Sequence, residues 1–228
     1  MCKRMGLVLL TIIFIICGIL ITASISLRIY AYNVNWYMSR FESLDINAHT
    51  GIDTKDLETI TRKIINYLKE KEGDLEISVT VRNEYREVFN QREKSHMVDV
   101  RNLFSALNKI TVAALLIFFL VFLVFYKFRL KKQMFISLIL IGAIPITLLV
   151  ILGIICLIDF NHAFNIFHEI FFSNDLWLLD PGKDILIQML PQPFFESTAL
   201  AWAITAWAVY VIFLITGVVF LKKMKIRK

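Results

Sequence analysis

The chain has 228 residues, 57% of them hydrophobic and 19% charged, with a formal net charge of +6. Its apolar residues are gathered into runs long enough to cross a bilayer, so the composition excludes a soluble globular domain and points to an integral membrane protein. The basic excess lies at the chain ends and in one short loop, and no nucleic-acid partner is needed to explain it.

The first apolar run extends from Gly6 to Leu27. A signal peptide would place small residues at its cleavage site, whereas Ile15, Ile16 and Cys17 stand here and the run continues past them, so an uncleaved anchor is expected. Tyr30, Tyr32, Trp36 and Tyr37 follow, as an interfacial aromatic belt would. From Asp53 to Glu72, Leu57, Ile60, Ile64 and Leu68 share one helical face, with Asp53 and Asp56 as a capping arrangement and Gly73 as the stop. Leu75, Ile77, Val79 and Val81 then alternate with polar residues, and a second run from Tyr85 to Phe89 follows Arg82, Asn83 and Glu84, which predicts a hairpin.

From Ser95, an expected N-cap, the period is helical again. His96, Val100, Leu103, Leu107, Ile110 and Ala114 form one stripe leading into the second span, Ile110 to Tyr126. The third span, Phe135 to Ile158, contains Pro145, read as a packing bend. The fourth runs from Ala199 to Leu221. Between them, Asp159 to Glu196 is rich in Phe, Trp, His and carboxylates, and Phe160, Phe164, His168 and Phe172 recur every four residues. If this stretch begins as a helix, His168 sits within an aromatic stripe rather than on a wet face.

Lys3 and Arg4, then Lys127, Arg129, Lys131 and Lys132, then Lys222, Lys223, Lys225, Arg227 and Lys228 occupy polar stretches that contain no acid, and all 19 Asp and Glu fall in the two longer connections. The positive-inside rule therefore puts both termini and the central loop in the cytoplasm, with both long connections outside. The expected fold is a mainly α integral membrane protein: four transmembrane helices, a small extracytoplasmic α+β cap and an interfacial helix or loop. Residues 1–27 form the N-terminus and first span, 28–109 the cap, 110–158 the second and third spans, 159–198 an interfacial active-site segment, and 199–228 the fourth span and basic tail. Cys2, Cys17 and Cys156 fall at the inner face or within spans, and read as small packing residues rather than a disulfide framework. There are no internal repeats to support an inverted-repeat transporter.

Of the four histidines, His49 reads as a solvated loop residue and His162 as part of a surface cluster with Asn165 and Glu169. His96 and His168 lie on apolar stripes at the outer boundary, in the two connections that must pack over one bundle. A buried titratable group near a membrane is a functional candidate by default. His168-Glu169 begins like a zincin helix, but Phe172 occupies the second ligand position, so no metal is expected. Gly-x-Ser-x-Gly is absent, and the cysteines are misplaced for a nucleophile. Acid–base chemistry by histidine remains, with Asp99 near enough to orient or charge-stabilise His96, suiting acyl transfer without a covalent intermediate. Asp180 and Pro181 read as a helix entrance as readily as a site, Trp177 with Phe194 and Phe195 as lipid anchors, Arg101 as a phosphate or carboxylate binder or a solvated face, and Asn174 as an oxyanion donor or turn residue.

The run Ser95 to Phe104 (SHMVDVRNLF), with Phe167 to Pro181 (FHEIFFSNDLWLLDP), Asp184 to Pro191 (DILIQMLP) and Phe194-Phe195, resembles the bacterial lipoprotein intramolecular transacylase family, Lit. The resemblance covers essentially the whole chain, with Arg101 a departure where a lysine would be expected. It implies an O-to-N acyltransferase that moves the sn-2 acyl chain of a lipoprotein's diacylglyceryl cysteine to the α-amino group of the same cysteine, leaving a lyso-form lipoprotein. It also implies that His96 and His168 are the essential pair, and that a diacylglyceryl lipoprotein and membrane lipid are the partners, with no cofactor. The other reading is a non-catalytic accessory or sensor protein with an extracytoplasmic binding domain.

Overall fold

The computed structural model describes residues 2–226. Arg227 and Lys228 of the basic tail lie outside the described residues, as do the side chains of Cys2, Lys3 and Lys225. In chain order come α1 (Cys2–Ala31), α2 (Val34–Ser43), α3 (Ile46–Thr50), α4 (Thr54–Leu68), the strands β1 (Ser78–Val81) and β2 (Glu84–Glu87), then α5 (Gln91–Lys127), α6 (Lys131–Ile158), α7 (Phe160–Phe171), α8 (Ile185–Met189) and α9 (Gln192–Ile226). They form two compact units: Met1–Leu27, Asn108–Ile155 and Leu200–Lys228 in one, Arg28–Leu107 and Cys156–Ala199 in the other.

The first unit is built from the apolar lengths of α1, α5, α6 and α9, each long and apolar enough to cross a membrane. At 37 residues α5 is roughly 55 Å long, more than a bilayer core requires. Its polar N-terminal turns belong to the second unit, and its apolar stretch begins near Ile110. Phe14, Val121, Phe125, Ile141, Ala206 and Tyr210 make the core, with Phe14 stacked on Phe118 at 4.1 Å. Polar side chains here are paired across helices, as an apolar setting demands: Ser24 with Thr111 at 2.7 Å, Tyr210 donating to the Ile19 carbonyl at 3.0 Å, and Trp202 to Ala23 at 3.0 Å. Gly142 lets α6 meet α9 closely, since a Cβ there would lie 2.5 Å from the Tyr210 carbonyl oxygen.

The second unit has its own core around Phe41, Ile46, Leu57, Ile60, Ile64, Phe89, Met189 and Phe194. The predicted face of α4 is the buried one, and the Asp53 carboxylate accepts from Asp56 N–H at 2.8 Å as its N-cap. Its end differs from the expectation. The helix stops at Leu68, with Glu70 left-handed (φ 57°) and bonds from Glu70 N–H to Tyr67 O and Lys71 N–H to Asn66 O, a Schellman closure that leaves Gly73 no part. The hairpin forms around Arg82 and Asn83, both at positive φ (51° and 69°), as a two-residue primed turn requires. Arg82 N–H donates to the Gly51 carbonyl at 2.9 Å, and Gly51 itself is left-handed at φ 69°.

Three further expectations are corrected. Ser95 is not the N-cap of α5, which begins four residues earlier. Asn90 caps it through a reciprocal box in which Glu93 N–H donates to Asn90 Oδ1 at 3.1 Å and Asn90 N–H to Glu93 Oε2 at 2.7 Å. Asp180 does not open a helix either. It holds a turn by accepting from Gly182 N–H at 2.8 Å, and α8 starts only after Asp184. Nor are the aromatics a simple belt or anchor: Tyr37 and Phe194 are buried in the second unit's core, Tyr32 packs against it, and Trp36 Nε1–H donates to Thr198 Oγ1 at 3.0 Å.

Buried Glu93 also joins distant segments. Its Oε1 accepts from Leu186 N–H at 2.7 Å, while Asn90 Nδ2–H donates to the buried Asp184 Oδ1 at 2.7 Å. Burial pushes the Glu93 carboxyl up, against the opposing N–H bonds from Leu186 and Asn90. Asn90→Ala removes both a cap and a buried partner, and is expected to destabilise the protein by about 1–2 kcal/mol in detergent unfolding, with Ser95→Ala within about 0.5 kcal/mol of wild type. Equal effects of the two substitutions would contradict this assignment of the cap.

Candidate active site

The site lies within the second unit, on the first turns of α5, on α7, and on the segment from Phe172 to Asp180. Asp159 caps α7 by accepting from His162 N–H at 2.9 Å, and the four-residue aromatic repeat then falls on one face. Phe164 and His168 rings lie 4.1 Å apart, and His168 is 5.5 Å from Phe172. Trp177 stacks on the same imidazole at 4.7 Å, with Phe167 edge-on at 5.4 Å. His168 is thereby only 7% exposed, as the stripe predicted.

One turn of helix fixes the ring chemically. His168 Nδ1 lies 2.8 Å from the Phe164 carbonyl oxygen, which can only accept, so Nδ1 carries the hydrogen and the lone pair is on Nε2. His96, 8% exposed on α5, stands with its ring 6.2 Å from His168 and 5.3 Å from Phe172. Its Nδ1 is buried with no hydrogen-bond partner among the described residues. Burial and the neighbouring His168 hold His96 down at about 4, against the opposing pull of Asp99; burial also lowers His168, against its bond to Phe164. Both rings are therefore neutral at pH 7, one oriented as a proton acceptor and both buried among aromatics.

Among the described residues Asp99 makes no hydrogen bond to His96, although its charge favours the protonated ring, one of the two roles the spacing suggested. Its Oδ2 accepts from Asn174 Nδ2–H at 2.9 Å, and Asn174 Oδ1 accepts from Leu176 N–H at 3.0 Å, which commits Asn174 to a turn and a clamp. These two residues, with Asn102, Leu103, Phe171, Phe172 and Ser173, line a cleft of about 200 Å³. Arg101 turns elsewhere, lying over the Tyr67 ring at 4.7 Å and donating to the Gly73 carbonyl, and Asp180 pairs with Lys183 in its turn. His49 and His162 are exposed, and no group of three or more His, Cys, Asp or Glu among the described residues converges as a metal site would.

Sequence reasoning missed Arg92, which donates to the Asp175 carbonyl oxygen and ties the segment to α5, and missed the Asn90–Glu93 box. The box had a signal, an Asn followed three residues later by Glu. Arg92 had none.

Four membrane-crossing helices joined to a unit that buries a paired-histidine site define a membrane-integral protein with a candidate acid–base centre. The family model for lipoprotein intramolecular transacylase Lit matches residues 10–195, and the chain belongs to that family, an acyltransferase family. The solved structure of the membrane-integral lipoprotein intramolecular transacylase Lit from Bacillus cereus superposes with a TM-score of 0.84 at 21% identity, covering 99% of this chain and 100% of that one. Its variants with one histidine replaced by Arg or by Ala each superpose at 0.78 and 21% identity, covering 99% and 98% of this chain and 96% and 97% of theirs. No curated protein sequence matches significantly.

The depressed histidines fix a sign. Each is neutral when folded and protonates more readily when unfolded, so the stability they allow is complete above about 6.5 and declines as pH falls toward the folded values. Ring-nitrogen NMR titration in detergent should show His96 protonating near pH 4 and His168 below its ordinary value of 6.5. A midpoint at or above 6.5 for either would contradict the burial argument.

Proposed function

We propose that the protein moves the sn-2 acyl chain of a lipoprotein's diacylglyceryl cysteine to the α-amino group of the same cysteine, with His168 as base and His96 as its partner. The observation that carries this reading is the Nδ1–H bond from His168 to Phe164, which presents Nε2 as a proton acceptor beside a second buried, neutral imidazole. The ring centroids are 6.2 Å apart, close enough for both imidazoles to serve one reacting centre.

An α-amine has a pKa of about 7.7–8, so a fraction is neutral near pH 7 and attacks the ester carbonyl. His168 Nε2 takes the proton that nitrogen sheds as the N–C bond forms. His96 donates an N–H hydrogen bond to the oxyanion, and the proton passes to the glycerol oxygen as the ester C–O bond breaks. Amine, ester and proton balance without a cofactor, and positioning within one substrate molecule supplies much of the rate. Trp177 and Phe164 hold the His168 ring in place. The basic residues confined to the short stretches favour cytoplasmic termini, which assigns the site to the outer leaflet of the cell membrane.

The test is mass spectrometry of a lipoprotein's N-terminal lipopeptide from cells making wild type, His96→Asn or His168→Asn, each checked for folding by its unfolding transition. Wild type should yield the N-acylated lyso-form, and each variant should lose at least about 100-fold in rate. A diacylglyceryl terminus with a free amine in the wild-type cells would overturn the proposal. Full activity in either folded variant would leave the histidines no part in catalysis, and a wild type that binds lipoprotein without converting it would favour the accessory or sensor reading.

A further inference from the structure

We propose that the cleft walled by Asp99 and Asn174 is the acceptor subsite, in which the Asp99 carboxylate binds the α-ammonium of a lipidated N-terminal cysteine and lets go of the neutral amide formed from it. This rests on the transacylase reading above and adds to it a recognition step that neither histidine provides.

Among the described residues, Asp99 is the one carboxylate lining a cleft whose other polar walls are Asn102, Ser173 and Asn174 and whose apolar walls are Leu103, Phe171 and Phe172. At about 200 Å³ it has space for an amino group and the backbone beside it. Phe172 joins the cleft to the histidines, since its ring contacts His96 at 5.3 Å and His168 at 5.5 Å. A group seated against Asp99 is thus one aromatic ring away from both imidazoles.

The hydrogen bonding explains why this carboxylate is free for a ligand. Asn174 holds one oxygen of Asp99 at 2.9 Å, and is itself fixed by the Leu176 N–H. Nearby charges are engaged elsewhere. Arg92 bonds to Asp175, and Arg101 lies over Tyr67 and reaches the Gly73 carbonyl. Among the described residues, His96, three residues earlier on α5, has a buried Nδ1 with no partner and makes no hydrogen bond to Asp99. A positioned carboxylate that has no cation partner among the described residues, beside an apolar wall, is matched to a primary ammonium.

The reaction gives this match a direction. The ammonium gives up two protons on becoming an amide. One is lost to solvent as the neutral amine leaves Asp99 for the imidazoles, and one passes through His168 to the glycerol oxygen as the N–C bond forms and the ester C–O bond breaks. The amide product carries no charge, so Asp99 does not recapture it and the lyso-form departs.

The test uses the full-length protein in detergent and a probe that cannot react: a dialkylglyceryl (ether-linked) cysteinyl dipeptide, with its amine free or acetylated. At pH 6.5 the wild type should bind the free-amine probe at least tenfold more tightly than the acetylated one, and Asp99→Asn should bring the ratio close to one while still binding both. In wild type alone, the ratio should shrink as pH rises through about 8, where the probe's amine loses its charge. A ratio near one in wild type, or a ratio unchanged by Asp99→Asn or by pH, would overturn the subsite. Failure of the transacylase reading looks different: the wild type forms no N-acyl product from an ester-linked substrate, whatever the binding ratio.

Discussion

The contact from His168 Nδ1 to the Phe164 carbonyl is the constraint around which the site is arranged. It spans one helical turn and selects the tautomer in which Nε2 is the base. A free imidazole on an open loop would sample both tautomers and both ring faces. Here Phe164, Phe172 and Trp177 enclose the ring, and their burial keeps it neutral near pH 7. An environment that lowers the pKa also weakens the base, so the site depends on positioning more than on basicity.

The rest of the second unit serves that arrangement. The Asn90–Glu93 box fixes where α5 begins, and therefore where His96, Asp99 and Arg92 stand on the helix. Glu93 and Asp184 then connect those turns to α8, while Arg92 and Asp99 hold the segment carrying Asp175, Asn174 and Trp177. Two buried carboxylates are costly unless each has donors, and both are supplied with N–H groups here. The energy of that burial is set against register: a shift of α5 by one residue would rotate His96 off its stripe.

What the sequence revealed was what local periodicity encodes. The four spans, the buried face of α4, the hairpin, and the stripe that separates His168 from His162 all follow from spacing within a few residues, and each appears in the fold. The misses were of two kinds. Helix ends were misplaced where a side chain or a left-handed residue substituted for the expected signal, as with Asn90 for Ser95 and Glu70 for Gly73. Partners remote in the chain were missed: Asp99 with Asn174 is 75 residues apart, Arg92 with Asp175 83, and Glu93 with Leu186 93. No pattern within a single stretch reports such pairs. Aromatic residues were ambiguous for a related reason, because a lipid belt and a packed core demand the same side chains, and Tyr37 and Phe194 proved to be core.

The most direct test of this account is the tautomer of His168 in the resting protein at pH 7, read from its ring 15N shifts with His168→Asn used for assignment. His168 should be a neutral ring with a protonated, pyrrole-type Nδ1 and an unprotonated, pyridine-type Nε2. A neutral ring protonated at Nε2, or an imidazolium, would contradict it.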